Sequence, residues 1–249
     1  MHKYQVAAND NPQHSAEAQK LLNSTLVKSR TPASEDCNPS KDYHFAFRDV
    51  PDILQQGLVA TYMGIGASLD LISLTEGSDP DIAMKLASIL AMDARHNEYF
   101  RQQNNLEEIT LSSGEARIPV DWSLTWASQS IADHATCPKL PSGVKPAPRL
   151  DRDVGTSATS GVDKEILIGL ATGGVIDMSV KPKIIWLSGL YSPTYSTVKS
   201  IEQNKYTTKI PKGLEGVAFL ALVRENYTFG YPTLPNDELI AGPAIVQIS

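Results

Sequence analysis

The stretch PDIAMKLASILAMDARHNEYFRQQN, residues 80–104, decides the fold of the first half of the chain. Asp79 can cap a first helical turn that begins at Pro80, and no glycine or further proline interrupts the residues that follow. The apolar residues of this stretch recur mostly at three- and four-residue steps, and they are Ile82, Leu86, Ile89, Leu90, Ala94 and Phe100. This spacing predicts a long helix with one buried stripe.

Asp93 and His96 lie one turn apart on this predicted helix, beside the apolar stripe. A carboxylate and an imidazole in such a position can transfer protons or bind a metal ion. The alternative is that both stand at the edge of the stripe, where Arg95, Asn97 or water satisfies them. The spacing alone does not decide between a functional site and a surface pair.

The composition is that of an ordinary soluble globular protein, with 249 residues, 41% of them hydrophobic and 20% charged. The net charge is -6 and no basic run occurs, which argues against nucleic acid or an anionic membrane surface as a partner. No stretch is expected to reach the roughly 18 to 20 apolar residues of a membrane span. We therefore expect neither nucleic acid nor a membrane as a partner.

The first residues, MHKYQVAANDNPQH, contain no apolar run of the kind that a secretory signal needs. We expect a cytoplasmic protein, with secretion as the alternative if a further N-terminal segment precedes these residues. The two cysteines, Cys37 and Cys137, match no zinc spacing. Whether they are free thiols or form one disulfide stays open.

A second long helix is predicted over residues 50–75, which follow a capping Asp49. Residues 58–74 are apolar on nearly every side, so this helix is expected to be buried. Its glycines would permit close contact with another helix. Gln55 and Tyr62 lie seven positions apart on one face, so both side chains are expected to point into the same interior. The alternative is that Tyr62 only bonds a carbonyl and that Gln55 lies near a surface end.

Two further helices complete the predicted helical half. Residues 4–29 keep a broken helical period and include Asn11 and His14, three positions apart. Residues 122–133 form a short helix in which the tryptophans are packing residues.

The second half of the chain has a different sequence pattern. Residues 135–161 are rich in proline, glycine and serine, and short apolar runs separated by turn residues follow them. Such runs predict an antiparallel β-sandwich. The sequence therefore predicts an α+β protein with a helical domain over 1–135, a linker over 136–160 and a β-sandwich domain over 161–249.

Segments along most of the chain resemble, in order, the fungal ferritin-like proteins grouped with stress-response, late-sexual-development and desiccation-related proteins. The resemblance rests on KYQVAANDNPQHSAEAQKLL, CNPSKDYHFAFRDVPDILQQGLVATYMG, ASILAMDARHNEYFR, WSLTWASQSIADHATCPKLP, LEGVAFLALV and LIAGPAIVQIS. It implies an incomplete N-terminal ferritin-like bundle of about three long helices and a short one, truncated by its first helix. The short helix around Trp122, a second copy of the chain or an omitted N-terminal segment could fill the resulting groove, and a homodimer is the favoured expectation.

Ferritin-like bundles bind two metal ions with lone Glu residues and Glu-x-x-His pairs. The resemblance places Asn11 with His14 at one such pair, Asp93 with His96 at the other, and Gln55 at a lone Glu. Because amides replace two of these three carboxylates, the metal site is degenerate and no cofactor is predicted. The alternative is a single iron or manganese ion bound by His14, Asp93 and His96.

These observations lead to one main hypothesis and two alternatives. In the main hypothesis, a metal-free enzyme uses acid and base groups on a small organic substrate, in an isomerisation, dehydration or cyclisation of fungal secondary metabolism. A non-catalytic stress or developmental binding protein is the first alternative, and a mononuclear iron oxidase or oxygenase is the second. The catalytic candidates are His14, Asp93 and His96, and the substrate-binding candidates are Asn11, Gln55 and Tyr62.

Overall fold

The helix predicted over residues 80–104 is present as α2, which spans Pro80–Gln103 in the computed structural model. Asp79 caps it, since its carboxylate accepts a hydrogen bond from the backbone N of Ile82. Pro80 begins the helix and Asn104 ends it, with the Asn104 backbone N–H bonded to carbonyls of the last turn. The prediction of the helix is confirmed, but the expected buried stripe is only partly present, since Leu86 is buried, Ala94 is exposed and the other apolar residues of the stripe are half-buried.

The structure describes residues 49–104, 115–128, 147–152, 159–160, 164–170, 175–190, 193–202, 205–229 and 238–248. The predictions for the helix over 4–29, for Asn11 and His14 within it, and for Cys37 and Cys137 lie outside these residues.

Helix α1 spans Val50–Thr75 and packs antiparallel against α2, to which a tight turn over 76–79 connects it. Glycines make this contact close. A Cβ atom at Gly57 would lie 2.6 Å from the ring of Phe100, so a larger residue there would require this ring to move. A shorter helix, α3, spans Val120–Ser128 and contacts both α1 and the last strand of the sheet.

The expected burial of residues 58–74 holds for Leu58, Tyr62, Met63 and Ile65, whereas Leu74 near the end of the helix is exposed. By length and composition, residues Ile53–Thr75 could cross a membrane, so the expectation that no stretch is apolar enough is wrong. The core helix of a soluble protein passes the same test, and a single such helix is weak evidence for a membrane partner.

Eight strands form one sheet in the described part of the chain, in the order β1-β3-β6-β5-β4-β7-β8-β2. Neighbouring strands are antiparallel except for β2, which runs parallel to β8. The sheet curls until β1 contacts β8, and the Gly242 N–H donates to the Pro148 carbonyl at 2.9 Å beside this seam. The strands are Leu150–Arg152 (β1), Thr159–Ser160 (β2), Glu165–Leu170 (β3), Lys183–Ser188 (β4), Thr194–Glu202 (β5), Lys205–Lys209 (β6), Gly216–Val223 (β7) and Leu239–Ile248 (β8).

The helices cover one outer side of this nearly closed barrel, and strand β7 shows the arrangement most clearly. Every residue of β7 is buried. Leu220 and Leu222 belong to the core inside the barrel, whereas Phe219 and Val223 belong to the core beneath the helices. Because successive side chains of a strand point to opposite faces, a strand buried on both faces is apolar throughout.

The predicted fold class is therefore wrong. The described residues contain three α-helices that pack against a sheet, two forming a hairpin and the third being short. They do not form a ferritin-like four-helix bundle. The strands form one nearly closed antiparallel barrel instead of the two packed sheets of a β-sandwich. Short apolar runs separated by turns are common to both architectures, so the sequence pattern predicted strands without deciding how the sheet closes.

Candidate functional site

The candidate residues that the structure describes lie on the α1–α2 hairpin, and three contacts define its register. Gly57 faces Phe100, and Gly64 faces Asp93. Between them, the Asn97 side-chain amide donates a hydrogen bond to the Thr61 hydroxyl over 2.9 Å. Asp93, His96 and Asn97 therefore lie opposite the middle of α1.

Asp93 and His96 are both half-buried, one turn apart on α2. The Asp93 carboxylate lies directly against the backbone of α1, since a Cβ atom at Gly64 would be only 3.1 Å from Asp93 Oδ2. The absence of a side chain at Gly64 is thus what gives this carboxylate its position. Partial exposure leaves both ionisable groups accessible to a small molecule in solution.

Gln55 is separated from this pair. It precedes Gly64 by nine residues, which corresponds to about 13 Å along the helix axis at the usual rise per residue. The structure therefore does not bring Gln55 to the level of Asp93, although both were expected at one site. Asn11 and His14 lie outside the described residues, so their roles stay predictions.

Tyr62 is 2% exposed, and its hydroxyl belongs to a network that the sequence did not indicate. Burial raises the pKa of Tyr62 to about 12. The charge of Arg101 and a hydrogen bond with Asn97 act in the opposite direction, whereas Glu115 and Glu98 add to the increase. The phenol is therefore a neutral hydrogen-bonding group at neutral pH.

Arg101 is the central cation of this network and is only 5% exposed. Its Nη1 lies 3.5 Å from Glu98 Oε2. Burial raises the pKa of Glu115, and the Arg101 charge opposes that increase. No sequence signal pointed to this group, because Glu115 reaches it only through the fold of residues 115–119.

A second buried charge, Asp70, attaches α3 to α1. Asp70 is fully buried, and its Oδ1 accepts a hydrogen bond from Arg117 Nε at 2.6 Å. Its Oδ2 accepts from the backbone N of Val120, the first residue of α3, at 3.2 Å. Burial, together with the Asp70 charge, raises the pKa of Asp121. The Asp70 carboxylate thus caps a helix that is distant in sequence. Its position as the lone acid in the apolar residues 58–74 of α1 was a sequence signal for such a role.

The described part of the site does not fit a pair of metal ions. Among the described residues, Asp93 is the carboxylate that lies one turn from His96, and Thr61 and Tyr62, the groups that interact with the neighbouring Asn97, are neutral. Two divalent ions need more negative charge than that. Within the described ranges, no three His, Cys, Asp or Glu side chains are grouped closely enough to bind a metal ion. The single-metal set includes His14 and stays a prediction.

An open cavity of about 260 Å³ lies elsewhere, and its lining residues are Val180, Arg224, Glu225, Asn226 and Glu238. None of these belongs to the α1–α2 hairpin, and the lining contains no histidine. The half-buried pair on α2 is therefore the better candidate for proton-transfer chemistry.

No protein-family model matches the chain, and no curated protein is significantly similar to it. The resemblance to ferritin-like proteins, the homodimer and the cytoplasmic location accordingly stay predictions.

Proposed function

We propose that the chain is a metal-free enzyme in which Asp93 and His96 exchange protons with a small organic substrate at the α1–α2 hairpin. The observation that carries this proposal is the position of the Asp93 carboxylate against Gly64, one helical turn from the imidazole of His96, with both groups half-buried. A carboxylate beside an imidazole suits isomerisation, dehydration or cyclisation, reactions that need proton transfer alone.

Neighbouring polar groups of the hairpin form hydrogen bonds next to this pair. Asn97, the next residue after His96, is 4% exposed, bonds Thr61 and interacts with Tyr62. Because Tyr62 is buried and its pKa is about 12, it orients its neighbours and does not itself release a proton at neutral pH. This assigns Tyr62 a positioning role instead of direct contact with substrate.

The proposal is tested by comparing the wild-type chain with Asp93→Asn and His96→Gln in a screen for turnover of hydroxy and carbonyl compounds. We expect each substitution to lower the rate by about 10²-fold or more, the usual contribution of an acid–base group. Arg95→Gln is the matched control, since Arg95 is exposed on the same helix and is not part of the pair. Rates that fall equally in the control would contradict the assignment.

Elemental analysis of protein purified without added metal completes the test. Near-stoichiometric iron or manganese that is lost in Asp93→Asn and His96→Gln would replace the metal-free proposal by the mononuclear one.

A non-catalytic binding protein is the second candidate, and one observation favours it. Tyr62, a deeply buried polar group of the hairpin, is surrounded by groups of the protein itself, namely Asn97, Arg101 and Glu115. Polar residues in the hairpin can therefore have a structural role without catalysis. This candidate predicts that His96→Gln changes the stability of the protein but no reaction rate.

A further inference from the structure

Helix α3 carries two buried polar atoms that have no hydrogen-bond partner among the residues that the structure describes. They are Nε1 of Trp122 and Oγ1 of Thr125, and both side chains are fully buried. The two residues are three positions apart, so they share one face of the helix. Trp122 belongs to the core between the helices and the barrel, which places this face against the sheet.

Elsewhere the same chain satisfies such hydroxyls within the helix itself. Thr61, Thr75, Ser88 and Ser128 each donate a hydrogen bond to a backbone carbonyl three or four residues earlier. That bond is the usual solution for a helical hydroxyl. Thr125 makes no such bond, so its hydroxyl is available to another partner.

The other buried tryptophan of the barrel region provides a second comparison. Trp186 is also fully buried, and its Nε1 donates to the Ser196 hydroxyl at 2.7 Å. A buried indole N–H without a partner is unfavourable, because it has lost its hydrogen bond to water. Two such atoms on one turn of one helix are most simply satisfied by a single shared oxygen.

We propose that a hydrogen-bonding oxygen atom occupies a site between α3 and the barrel, accepting from Trp122 Nε1 and bonding the Thr125 hydroxyl. The oxygen belongs either to an internal water or to the hydroxyl or carbonyl group of a small molecule. Both sources present the same chemistry to the two side chains. The site is independent of Asp93 and His96 and does not rest on the proposed function.

The test is a double-mutant cycle on the complete chain, with Thr125→Val, Trp122→Phe and the two combined. Valine keeps the shape of threonine and removes the hydroxyl. We expect Thr125→Val to lower the thermal midpoint by about 2–4 °C, and the double variant to lose less than the sum of the single losses because both side chains bond one oxygen. Thr125→Ser is the matched control and should stay close to wild type.

A neutral or stabilising Thr125→Val, additive with Trp122→Phe, would overturn the proposal, since it would mean that the hydroxyl is buried without any partner. If Trp122→Phe fails to fold, the comparison of Thr125→Val with Thr125→Ser decides alone: a loss confined to valine supports the site, and no difference overturns it.

A further measurement distinguishes the two sources of the oxygen. Mass spectrometry of the wild-type protein before and after denaturation would detect a released organic molecule, and its loss in Thr125→Val would assign the oxygen to that molecule. Coupled substitutions without any released molecule would assign it to water.

Discussion

The interior of the barrel and the layer between the helices and the barrel bury different kinds of polar group. Inside the barrel, Trp186 bonds Ser196, Ser196 bonds Thr208 at 2.6 Å, and Thr208 donates to the Thr197 carbonyl at 3.0 Å. At one end, the hydroxyl of Tyr206 accepts from a backbone N–H. Each of these neutral polar atoms has a partner within the protein, whereas the hydroxyl of Thr194, on the same face of the sheet as Trp186, is buried without one among the described residues.

The helical layer retains groups that are unfavourable to bury. Asp70 is a fully buried carboxylate, and the pKa values of Glu115 and Asp121 are raised by burial. Trp122 and Thr125 have buried polar atoms without partners among the described residues. Proteins tend to keep such groups where function requires them. The two regions therefore differ in the charge of the polar groups they bury, which are neutral inside the barrel and include ionisable carboxyls in the helical layer.

Asp70→Ala is expected to have the largest effect on stability. It would remove the fully buried carboxylate that accepts hydrogen bonds from Arg117 and from the first turn of α3. Loss of one partner of a buried pair costs about 3–5 kcal/mol in the free energy of unfolding. Ser196→Ala in the barrel removes a neutral partner of Trp186 and should cost about 1–3 kcal/mol. Urea unfolding followed by circular dichroism gives both values, and equal losses would argue against the contrast between the two regions.

Gly66→Ala is expected to have the next largest effect. A Cβ atom at Gly66 would collide with the side chain of Ile118 and lie 2.9 Å from the carbonyl oxygen of Ala116, where residues 115–119 cross α1. Overpacking of this kind costs about 1–3 kcal/mol. The Ile118 N–H also bonds the Gly66 carbonyl at 3.2 Å, so the segment has little room to move.

Gly77→Ala is the matched control for that substitution. No atom lies within 4 Å of a Cβ atom at Gly77, in the turn between α1 and α2. Its effect should stay within about 1 kcal/mol in either direction. Similar thermal midpoints for the two variants would mean that the contact between Gly66 and residues 115–119 is loose.

Local signals in the sequence predicted the helices that the structure describes, but not their assembly. The cap at Asp79 and the apolar stripe of α2 depend on neighbouring residues, so the helix over 80–104 was predictable. Closure of the barrel depends on the contact between β1 and β8, which are about ninety residues apart. No local pattern contains that information, and a β-sandwich was predicted instead.

The same distinction between local sequence and tertiary assembly applies to the candidate site. Asp93 and His96 share one helix, so their proximity follows from the period of the helix. The separation of Gln55 from Asp93 follows from the hairpin register. The proximity of Arg101 to Glu115 depends on the path of residues that are not helical, and only the folded chain provides it.

The smallest expected effect is on the pH dependence of stability. It has opposite signs for a carboxyl of the helical layer and for one next to the barrel. Burial raises the pKa of Glu115 in the helical layer, against the opposing charge of Arg101. Hydrogen bonds from the hydroxyl and the backbone N of Ser179 lower the pKa of Asp177, which precedes strand β4. The contribution of Glu115 to stability is therefore present below its ordinary pKa of 4.5 and is lost as pH rises through its raised value.

Asp177 behaves in the opposite way: its contribution is present above its ordinary pKa of 3.8 and is lost as pH falls through the lowered value. At neutral pH, Glu115→Gln should consequently raise the urea midpoint slightly, and Asp177→Asn should lower it. Repeating both measurements near pH 3, where Glu115 is protonated, should abolish the advantage of the glutamine variant. If the two substitutions shifted the midpoint in the same direction at neutral pH, the helical layer would hold its carboxylates no less favourably than the barrel does.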